Sequence, residues 1–242
     1  MTLAILPVAV AAEIEVGADL AELLAASVTP VADDVVVVSH KAVSKAEGRL
    51  ADLRDVEPSA RARELAGEGG DPRLAELVLR ESRRIVRRRG SLLIAETRHG
   101  FVCAQAGIDR SNTPSPDVVV LLPLDPDASA RRLRAGLERR VGGAVAVVVA
   151  DTMGRPLRNG ILGMAIGVSG IAPLLGYQGR ADPTGYVLRT TQVAVADELA
   201  AAADLVIGKL ERVPAAIVRG YHAAGDGSAR ELIRERSRDL FL

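Results

Sequence analysis

The sequence predicts a protein of mixed α and β structure, either an α+β fold or a doubly wound α/β sheet. Three observations support this class. Short runs rich in Val, Ile and Ala recur along the chain, as expected for buried strands. Segments with apolar residues at helical spacing lie between some of these runs. The two kinds of segment do not alternate strictly, so both architectures remain open at this point.

Strands are predicted where apolar, often β-branched residues follow one another. The strongest is Ala144–Ala150, and Val35–Val38 offers four valines in a row. The polar link Arg98-His99-Gly100 predicts a hairpin between two of the runs. The predicted strands are Leu3–Val10, Val35–Val38, Leu92–Ala95, Phe101–Ala104, Val118–Leu122, Ala144–Ala150 and Ala215–Val218.

Helices are predicted where Leu and Ala recur three or four residues apart. The segments are Asp19–Ala26, Pro58–Arg89, Asp127–Val141 and Ala194–Leu205. The Gly-rich stretch 67–71 divides the second segment, with Pro72 at a helix start and Gly90 at a helix end. The arginines of residues 83–89 are therefore expected on a solvated helix face. Residues 152–190 predict loops with short strands, and the chain beyond Gly220 is predicted to be helical.

Composition excludes several classes of function. The 242 residues include 31 Lys plus Arg and 31 Asp plus Glu, whereas a nucleic-acid-binding protein normally carries excess positive charge. Aromatic residues make up only 2% of the chain, too few to build a stacking platform for single strands. No nucleic-acid partner is therefore expected.

Cys103 is the only cysteine, which excludes an intramolecular disulfide and a structural thiolate zinc site. We interpret it as a small buried hydrophobic residue. The N-terminal segment has no positive charge before its apolar stretch, and no apolar run reaches the ~18 residues that span a bilayer. The expected location is cytoplasmic, without a membrane partner.

Asp151 follows the strongest predicted strand, so its carboxylate is expected at the rim of a sheet. There it could hold a divalent cation, with Thr152 as a second oxygen ligand. An Asp that caps a turn is an equally good interpretation of this feature alone. Asp109 and Asn112 lie in a polar turn, where both residue types are common for backbone reasons, but Asp109 paired with Asp151 becomes a candidate second arm of a Mg²⁺ or Mn²⁺ site.

His40, Lys41, Ser44 and Lys45 follow the valine run at the start of a predicted helix, where basic and hydroxyl side chains can bind phosphate. The spacing is not that of a Walker A motif, and the ordinary alternative is a solvated helix face. The Gly-rich segment 151–163 adds Arg155 and Arg158 as candidate clamps on phosphate or carboxylate. The alternative there is a surface turn.

Several long strings resemble one known family. They occur in the order LPV, VVVVSHKAVSKAEGR, ETRHGFVCAQAGIDRSN, LLPLDPDASARRLRAGL, VVVADTMGRPLRNG, AIGVSGI, GYQGRADPTGYVLRTT and AVADELAAAADLVIGK, and span residues 3–221. Together they resemble the coenzyme F420-0:γ-glutamyl ligases. We accordingly predict a ligase domain over residues 1–221 and a C-terminal helical tail or linker over residues 222–242.

The resemblance implies a two-lobed α+β fold with mixed sheets, a homodimer, and an active-site cleft near the dimer interface. It implies GTP as a substrate, two Mg²⁺ or Mn²⁺ ions, and room for a monovalent cation. The acceptor would be the deazaflavin precursor F420-0, and the donor of the new amide nitrogen would be L-glutamate. The implied metal ligands are Asp109, Asp151 and Thr152. The implied nucleotide contacts are Leu6, Pro7, Val8, Ala9, His40, Lys45 and Asn112.

Two features depart from the family pattern. A further oxygen ligand is common after the alanine-rich helix, and Lys209 stands at or near that place. A protonated lysine cannot bind a cation, although it can neutralise a phosphate. The domain also resembles the front half of longer proteins that carry a flavin-dependent reductase domain.

Two further functions remain open from the sequence. The same carboxylates could serve a metal-dependent phosphatase or nucleotidyl transferase, in which water or another nucleophile attacks a phosphoryl group. A non-catalytic nucleotide-binding module is the third interpretation.

Overall fold

The computed structural model describes residues 2–240 and has an α+β architecture built around one five-stranded sheet. The strand order is β1-β12-β2-β8-β9, in which only β2 and β8 are parallel. The strands of this sheet are β1 (Ala4–Val8), β2 (Val35–Ser39), β8 (Ala146–Arg155), β9 (Arg158–Ser169) and β12 (Ala215–Arg219).

Both faces of this sheet are buried, which explains the unbroken valine runs. Val36 and Val38 belong to one hydrophobic cluster, whereas Val35 and Val37 belong to a second cluster on the opposite face. The first cluster receives the helices α1 (Leu20–Ser27), α2 (His40–Ala46) and α5 (Pro126–Val141). The second receives α6 (Val195–Ile207). Helices on both faces leave only the edges of the sheet free for a site.

A third hydrophobic cluster forms a separate core around α3 (Ala60–Ala66) and α4 (Pro72–Glu81). These helices pack with two small antiparallel sheets, one of three strands and one of two. The three-stranded sheet contains β4 (Ser82–Arg89), β5 (Leu92–Thr97) and β6 (Val102–Ala104), and the other pairs β3 (Leu50–Asp52) with β7 (Val118–Val120). A further pair joins β10 (Leu175–Gly176) to β11 (Gln192–Val193).

The mixed α+β class is confirmed, and most predicted elements are present with small shifts at their ends. Capping residues set several of these ends. In α5, Asp125 accepts a hydrogen bond from the backbone N–H of Ala128, Pro126 begins the helix, and Gly142 ends it in the left-handed conformation. The two-lobed shape and the dimer interface remain predictions.

The expected helix over residues 83–89 is wrong, because this segment forms strand β4. The helical spacing ends at Glu81, and the adjacent β-branched residues Ile85 and Val86 favour a strand. Pairing with β5 stabilises the strand. Arg84 lies opposite Glu96, and its Nε is 2.7 Å from a carboxylate oxygen of Glu96. Gly90 belongs to the turn between β4 and β5 rather than to a helix end.

Two other expectations are corrected. The predicted loop region begins with the longest hairpin of the protein, because β8 continues to Arg155 and β9 has 12 residues. The tail is not α-helical: within residues 222–240 it contains only two short 3-10 helices, Ala229–Leu232 and Arg236–Arg238. Residues 241 and 242, also covered by that prediction, lie outside the described residues.

The tail packs on the main sheet rather than extending away from it. Ala229 is fully buried in the second cluster. The carboxylate of Asp127 accepts hydrogen bonds from Ser228 Oγ at 2.6 Å and from the backbone N–H groups of Ala229 and Val168 at 3.1 and 2.8 Å. Asp127 thus joins α5, β9 and the tail. No helix among residues 2–240 is long and apolar enough to cross a membrane.

Candidate active site at the carboxyl ends of the parallel strands

Polar residues collect where the parallel strands β2 and β8 part. Their pairing ends at Ser39 and Ala150, so His40 and Asp151 come next on neighbouring chains. His40 Nε2 lies 3.2 Å from Asp151 Oδ1, and both residues are buried, with exposures of 1% and 9%. Ligands of open α/β sheets commonly bind at this kind of edge.

A β-bulge directs the chain immediately before Asp151. Val149 pairs with Gly167, but Ala150 pairs with Ala165, so Ile166 is an extra residue on β9. Bulges of this kind bend a strand and reorient the side chains that follow, and they are common beside active sites. No residue pattern in the sequence predicts the bulge, so only the structure reveals it.

Helix α2 presents buried polar atoms that lack partners. Within residues 2–240, neither ring nitrogen of His40 completes a hydrogen bond, and neither does Ser44 Oγ, one helical turn further on. Both side chains are almost completely buried. Unsatisfied buried polar groups are destabilising unless a ligand or water binds them. These atoms are therefore candidate contacts for a ligand or for water on the α2 side of this edge.

Asp109 contacts the residue next to His40. Lys41 Nζ is 2.9 Å from Asp109 Oδ2 and 2.6 Å from Ser111 Oγ, and the backbone N–H of Ser111 donates to Asp109 Oδ1 at 2.6 Å. Burial opposes ionisation of Asp109, but the hydrogen bonds from Lys41 and Ser111 outweigh it and hold the carboxyl pKa below its usual value. Consecutive residues of α2 therefore contact the two predicted metal-binding carboxylates, one each.

The loop that carries Asp109 has an unusual backbone. Gln105, Ala106 and Asn112 all have positive φ angles, between 51° and 56°. Residues other than glycine rarely adopt this left-handed backbone conformation, so the surrounding structure must hold the loop in place. Arg110 and residues 112–116 line an open cavity of about 470 Å³.

The N-terminal residues that the resemblance selects reach the same edge. Strand β1 pairs with β12, and β12 with β2, so Val8 and Val38 face Ala215 from its two sides. The Val8 side chain is buried in the core, and Leu6 packs against it, whereas Pro7 and Ala9 are exposed. At this segment the backbone and the exposed residues, rather than the buried side chain of Val8, are available to a ligand.

Lys45 forms an ion pair with Glu13, which follows β1. The pair ties α2 to the segment after β1, as does the 2.8 Å hydrogen bond from the Gly17 N–H to the Ala46 carbonyl. Lys41 and Lys45 are four residues apart and so lie on one face of α2. Helix α2 has only seven residues. The positive charge of this surface therefore comes from the side chains of Lys41 and Lys45 and not from the helix backbone.

Thr152 lies beside Asp151 and contacts Lys209, which follows α6. Lys209 Nζ is 2.5 Å from Thr152 Oγ1 and 3.5 Å from Asp204 Oδ1. In the sequence, only the family resemblance indicated that Lys209 lies near the site. The structure brings its ammonium group onto the hydroxyl that the resemblance names as a metal ligand.

Arg155 and Arg158 lie farther away, at the tip of the β8–β9 hairpin. Arg155 is four residues beyond Asp151, about 13 Å along an extended strand. Its guanidinium donates to the Asn159 carbonyl at 3.2 Å, and Arg158 is exposed. The structure does not group these arginines with the two carboxylates, and their role as clamps remains a prediction.

Cys103 is confirmed as a buried hydrophobic residue. Its side chain is 7% exposed and packs in the first cluster. Burial, with a smaller contribution from the negative charge of Asp151, raises the pKa of the thiol to about 12. The thiol is therefore protonated at neutral pH and is no nucleophile.

Within residues 2–240, no group of three or more His, Cys, Asp or Glu side chains is arranged to hold a metal ion. The donor set at the edge consists of two carboxylates and a hydroxyl. Such a set suits Mg²⁺ or Mn²⁺, which take one or two carboxylates and complete their shells with water and phosphate oxygens.

Comparison with known proteins gives a consistent result. The family model described as F420-0:Gamma-glutamyl ligase matches residues 10–220. The coenzyme F420:L-glutamate ligase of Methanopyrus kandleri is 47% identical over 247 residues, which covers 99% of this chain and 98% of that protein. The protein of the same name from Methanothermobacter thermautotrophicus is 46% identical over 86% of this chain and 84% of its own length. A third, from Methanocaldococcus jannaschii, is 41% identical over 92% of this chain and 90% of its own length.

Proposed function

The chain belongs to the F420-0:gamma-glutamyl ligase family, and we propose that it joins L-glutamate to the coenzyme F420 precursor F420-0 with hydrolysis of GTP. One structural observation carries the proposal. The residues that would bind nucleotide and cation converge at one sheet edge, where buried His40 and Ser44 have unsatisfied polar atoms. Most buried polar atoms in folded proteins have a hydrogen-bond partner.

Asp109 and Asp151 are the residues that would hold a divalent cation. Both carboxylates lie at the edge, and the hydrogen bonds to Asp109 favour its charged form. Thr152 fits this role less well, because the Lys209 ammonium lies 2.5 Å from its hydroxyl. A bound Mg²⁺ or Mn²⁺ would supply neutralisation of the negative charge on the phosphate oxygens.

The nucleotide would bind along α2 and the end of β1. Lys45 supplies a positive charge, and His40 and Ser44 supply hydrogen-bonding atoms. Asn112 would contact the ligand from the open cavity that it lines. The backbone of residues 6–9 would add further contacts. These groups position the γ-phosphate, which is the main requirement for phosphoryl transfer.

The reaction would proceed in two balanced steps. A carboxylate oxygen of F420-0 attacks the γ-phosphorus, the bond from that phosphorus to the bridging oxygen breaks, and GDP leaves with the electron pair. The resulting acyl phosphate is then attacked at carbon by the α-amine of glutamate. An amide forms, inorganic phosphate leaves, and the amine loses one proton. Lys41 would bind the negative charge of the transferred phosphoryl group, whereas Lys45 would bind the nucleotide.

The test is a phosphate-release assay with GTP, MnCl₂, L-glutamate and F420-0, followed by mass spectrometry of the product. We expect release to require all four components and the product to gain one or more glutamyl units. Release that does not need glutamate would contradict the proposal and favour a phosphatase. Nucleotide binding without any release would favour a non-catalytic module.

We also propose that the chain functions as a homodimer. Several large apolar side chains are exposed around the hairpin tip and the end of α6, namely Leu157, Ile161, Leu205 and Leu210. An exposed apolar surface of this kind often marks a protein interface. Sedimentation at micromolar concentration should give twice the mass of one chain, and a monomer would contradict this part of the proposal.

A further inference from the structure

All three lysines of the chain lie at the candidate active site. The sequence contains 28 Arg and only three Lys, so nearly every other basic position is occupied by arginine. Lys41 contacts Asp109, Lys45 pairs with Glu13 beside β1, and Lys209 contacts Thr152. The lysines are thus confined to the region where a small, localised positive charge has a use.

Arginine and lysine are not interchangeable at such positions. The guanidinium is a broad planar fork that binds carboxylates with two parallel hydrogen bonds, whereas the ammonium is a compact point charge. A compact charge can fit beside an oxygen ligand in the space that a metal ion would need. Arg219 shows the other use, since its fork binds both oxygens of Asp34 away from the site.

The segment after α6 fixes the position of Lys209. Gly208 ends the helix with a φ of 62°, which turns the chain towards β8. The Glu211 carboxylate then accepts hydrogen bonds from the backbone N–H groups of Lys209 and Leu210 at 2.9 and 2.8 Å. At the other end of the side chain, Nζ contacts Thr152 and Asp204. Lys209 is therefore held in place both at its backbone N–H and at its ammonium group.

We propose that the Lys209 ammonium takes the place of a second divalent cation, so that each chain binds one such ion together with its nucleotide. The inference rests on the proposed function. The Thr152 hydroxyl oxygen is the acceptor of the Lys209 hydrogen bond, and an ammonium group has no lone pair with which to bind a metal. A second cation at Thr152 would have to displace this fixed positive charge.

The remaining donors match a single ion. Asp109 and Asp151 are the two carboxylates at the edge, and within residues 2–240 no third acidic, His or Cys side chain joins them in a metal-binding group. The fixed ammonium would contribute one positive charge to the phosphates in place of the second ion. This charge would be present at every concentration of divalent cation.

The test counts bound Mn²⁺ per chain by electron paramagnetic resonance, with a saturating non-hydrolysable GTP analogue and the full chain. We expect one ion for the native protein. We expect two for Lys209→Gln, because the amide oxygen and the freed Thr152 hydroxyl restore an oxygen site. Arg212→Gln is the matched control, since it removes a nearby exposed positive charge and should leave one ion.

Each outcome separates the two proposals. Two ions in the native protein, or one ion in Lys209→Gln, would overturn the role of Lys209 and leave the ligase proposal intact. No ion in the native protein with nucleotide bound would overturn the metal dependence of the proposed function itself. As a second readout, Lys209→Met should keep one ion and lower kcat about 100-fold, because the charge is lost and no oxygen replaces it. An unchanged kcat would contradict the inference.

Discussion

The two ends of strand β2 carry buried polar residues of opposite character. Before the strand, Asp34 accepts hydrogen bonds from Arg219 at 2.9 and 2.8 Å and from the Val31 N–H at 2.8 Å. After it, His40 completes no hydrogen bond with any of the described residues 2–240, although its Nε2 lies 3.2 Å from Asp151 Oδ1. One end is fully paired within the protein, and the other is paired only in part.

We propose that this difference separates carboxylates that stabilise the fold from those that bind a ligand. A buried carboxylate that has all its partners stabilises the fold and has nothing left to offer a ligand. Asp127, which binds Ser228, Ala229 and Val168, is of this kind. Asp109 and Asp151 instead contact lysine, histidine or neighbouring backbone groups, and the Asp109 side chain is partly exposed. The comparison predicts that mutations at the two ends will affect different properties.

The largest effect should come from Asp151→Asn, which preserves shape and removes the charge. We expect kcat to fall by at least about 10³-fold, because a ligand for the divalent cation is lost, while the thermal midpoint stays close to that of the native protein. Phosphate release and circular dichroism would measure the two properties. Activity retained at saturating Mn²⁺ would show that Asp151 is not a metal ligand.

The matching change at the other end is Asp34→Asn. It breaks the two-fold contact with Arg219 and should lower the free energy of unfolding by about 2 kcal/mol, as measured by urea denaturation. The folded fraction should keep native kcat. Asp55→Asn, at an exposed position, serves as the control and should change stability by less than about 0.5 kcal/mol. If Asp34→Asn lost activity without losing stability, the assignment of Asp34 to a purely structural role would be wrong.

A smaller effect is expected from Lys45→Met, because Lys45 would bind the nucleotide rather than the reacting atoms. The KM for GTP should rise about 10-fold, the value of one charge-assisted hydrogen bond, with kcat changed less than about three-fold. Steady-state kinetics at varied GTP would show the split. A fall in kcat at saturating GTP would instead place Lys45 in the chemical step.

The smallest effect concerns Cys103, which reports on the charge of Asp151. Because its thiol pKa is raised to about 12, only about 10⁻⁴ of it is ionised at pH 8, and iodoacetamide should label the native protein very slowly. Asp151→Asn removes one of the two causes and should speed labelling modestly. Urea-unfolded protein should react fully. Equal rates in native and Asp151→Asn protein would show that the Asp151 charge does not reach the thiol.

The sequence predicted four of the five strands of the main sheet, because they stand out as apolar runs. It failed at β4, whose arginines interrupt the apolar pattern and whose strand state depends on pairing with β5. It also missed the long strand β9 and the extension of β8, since a hairpin rich in glycine resembles a loop. Long-range pairing decides these cases, and a local pattern does not contain it.

The site was predictable in its residues and not in its contacts. Asp151 could be selected as a carboxylate that follows a predicted strand, and Asp109, in a polar turn, as its possible partner. The pairing of Lys41 with Asp109, of His40 with Asp151 and of Lys209 with Thr152 joins residues that are 57 to 111 positions apart in the sequence. The bulge at Ile166 and the positive φ angles near Asp109 arise from packing and leave no local signal.

The confinement of lysine to one edge has a practical consequence for chemical labelling. Apart from the chain terminus, an amine-selective reagent meets only Lys41, Lys45 and Lys209, whereas most proteins expose primary amines over their whole surface. A gentle acylating or methylating reagent would therefore act as a footprint of the site, and bound nucleotide should protect it. A lysine-specific protease would divide the unfolded chain at only three places, so that each modified amine could be assigned by mass.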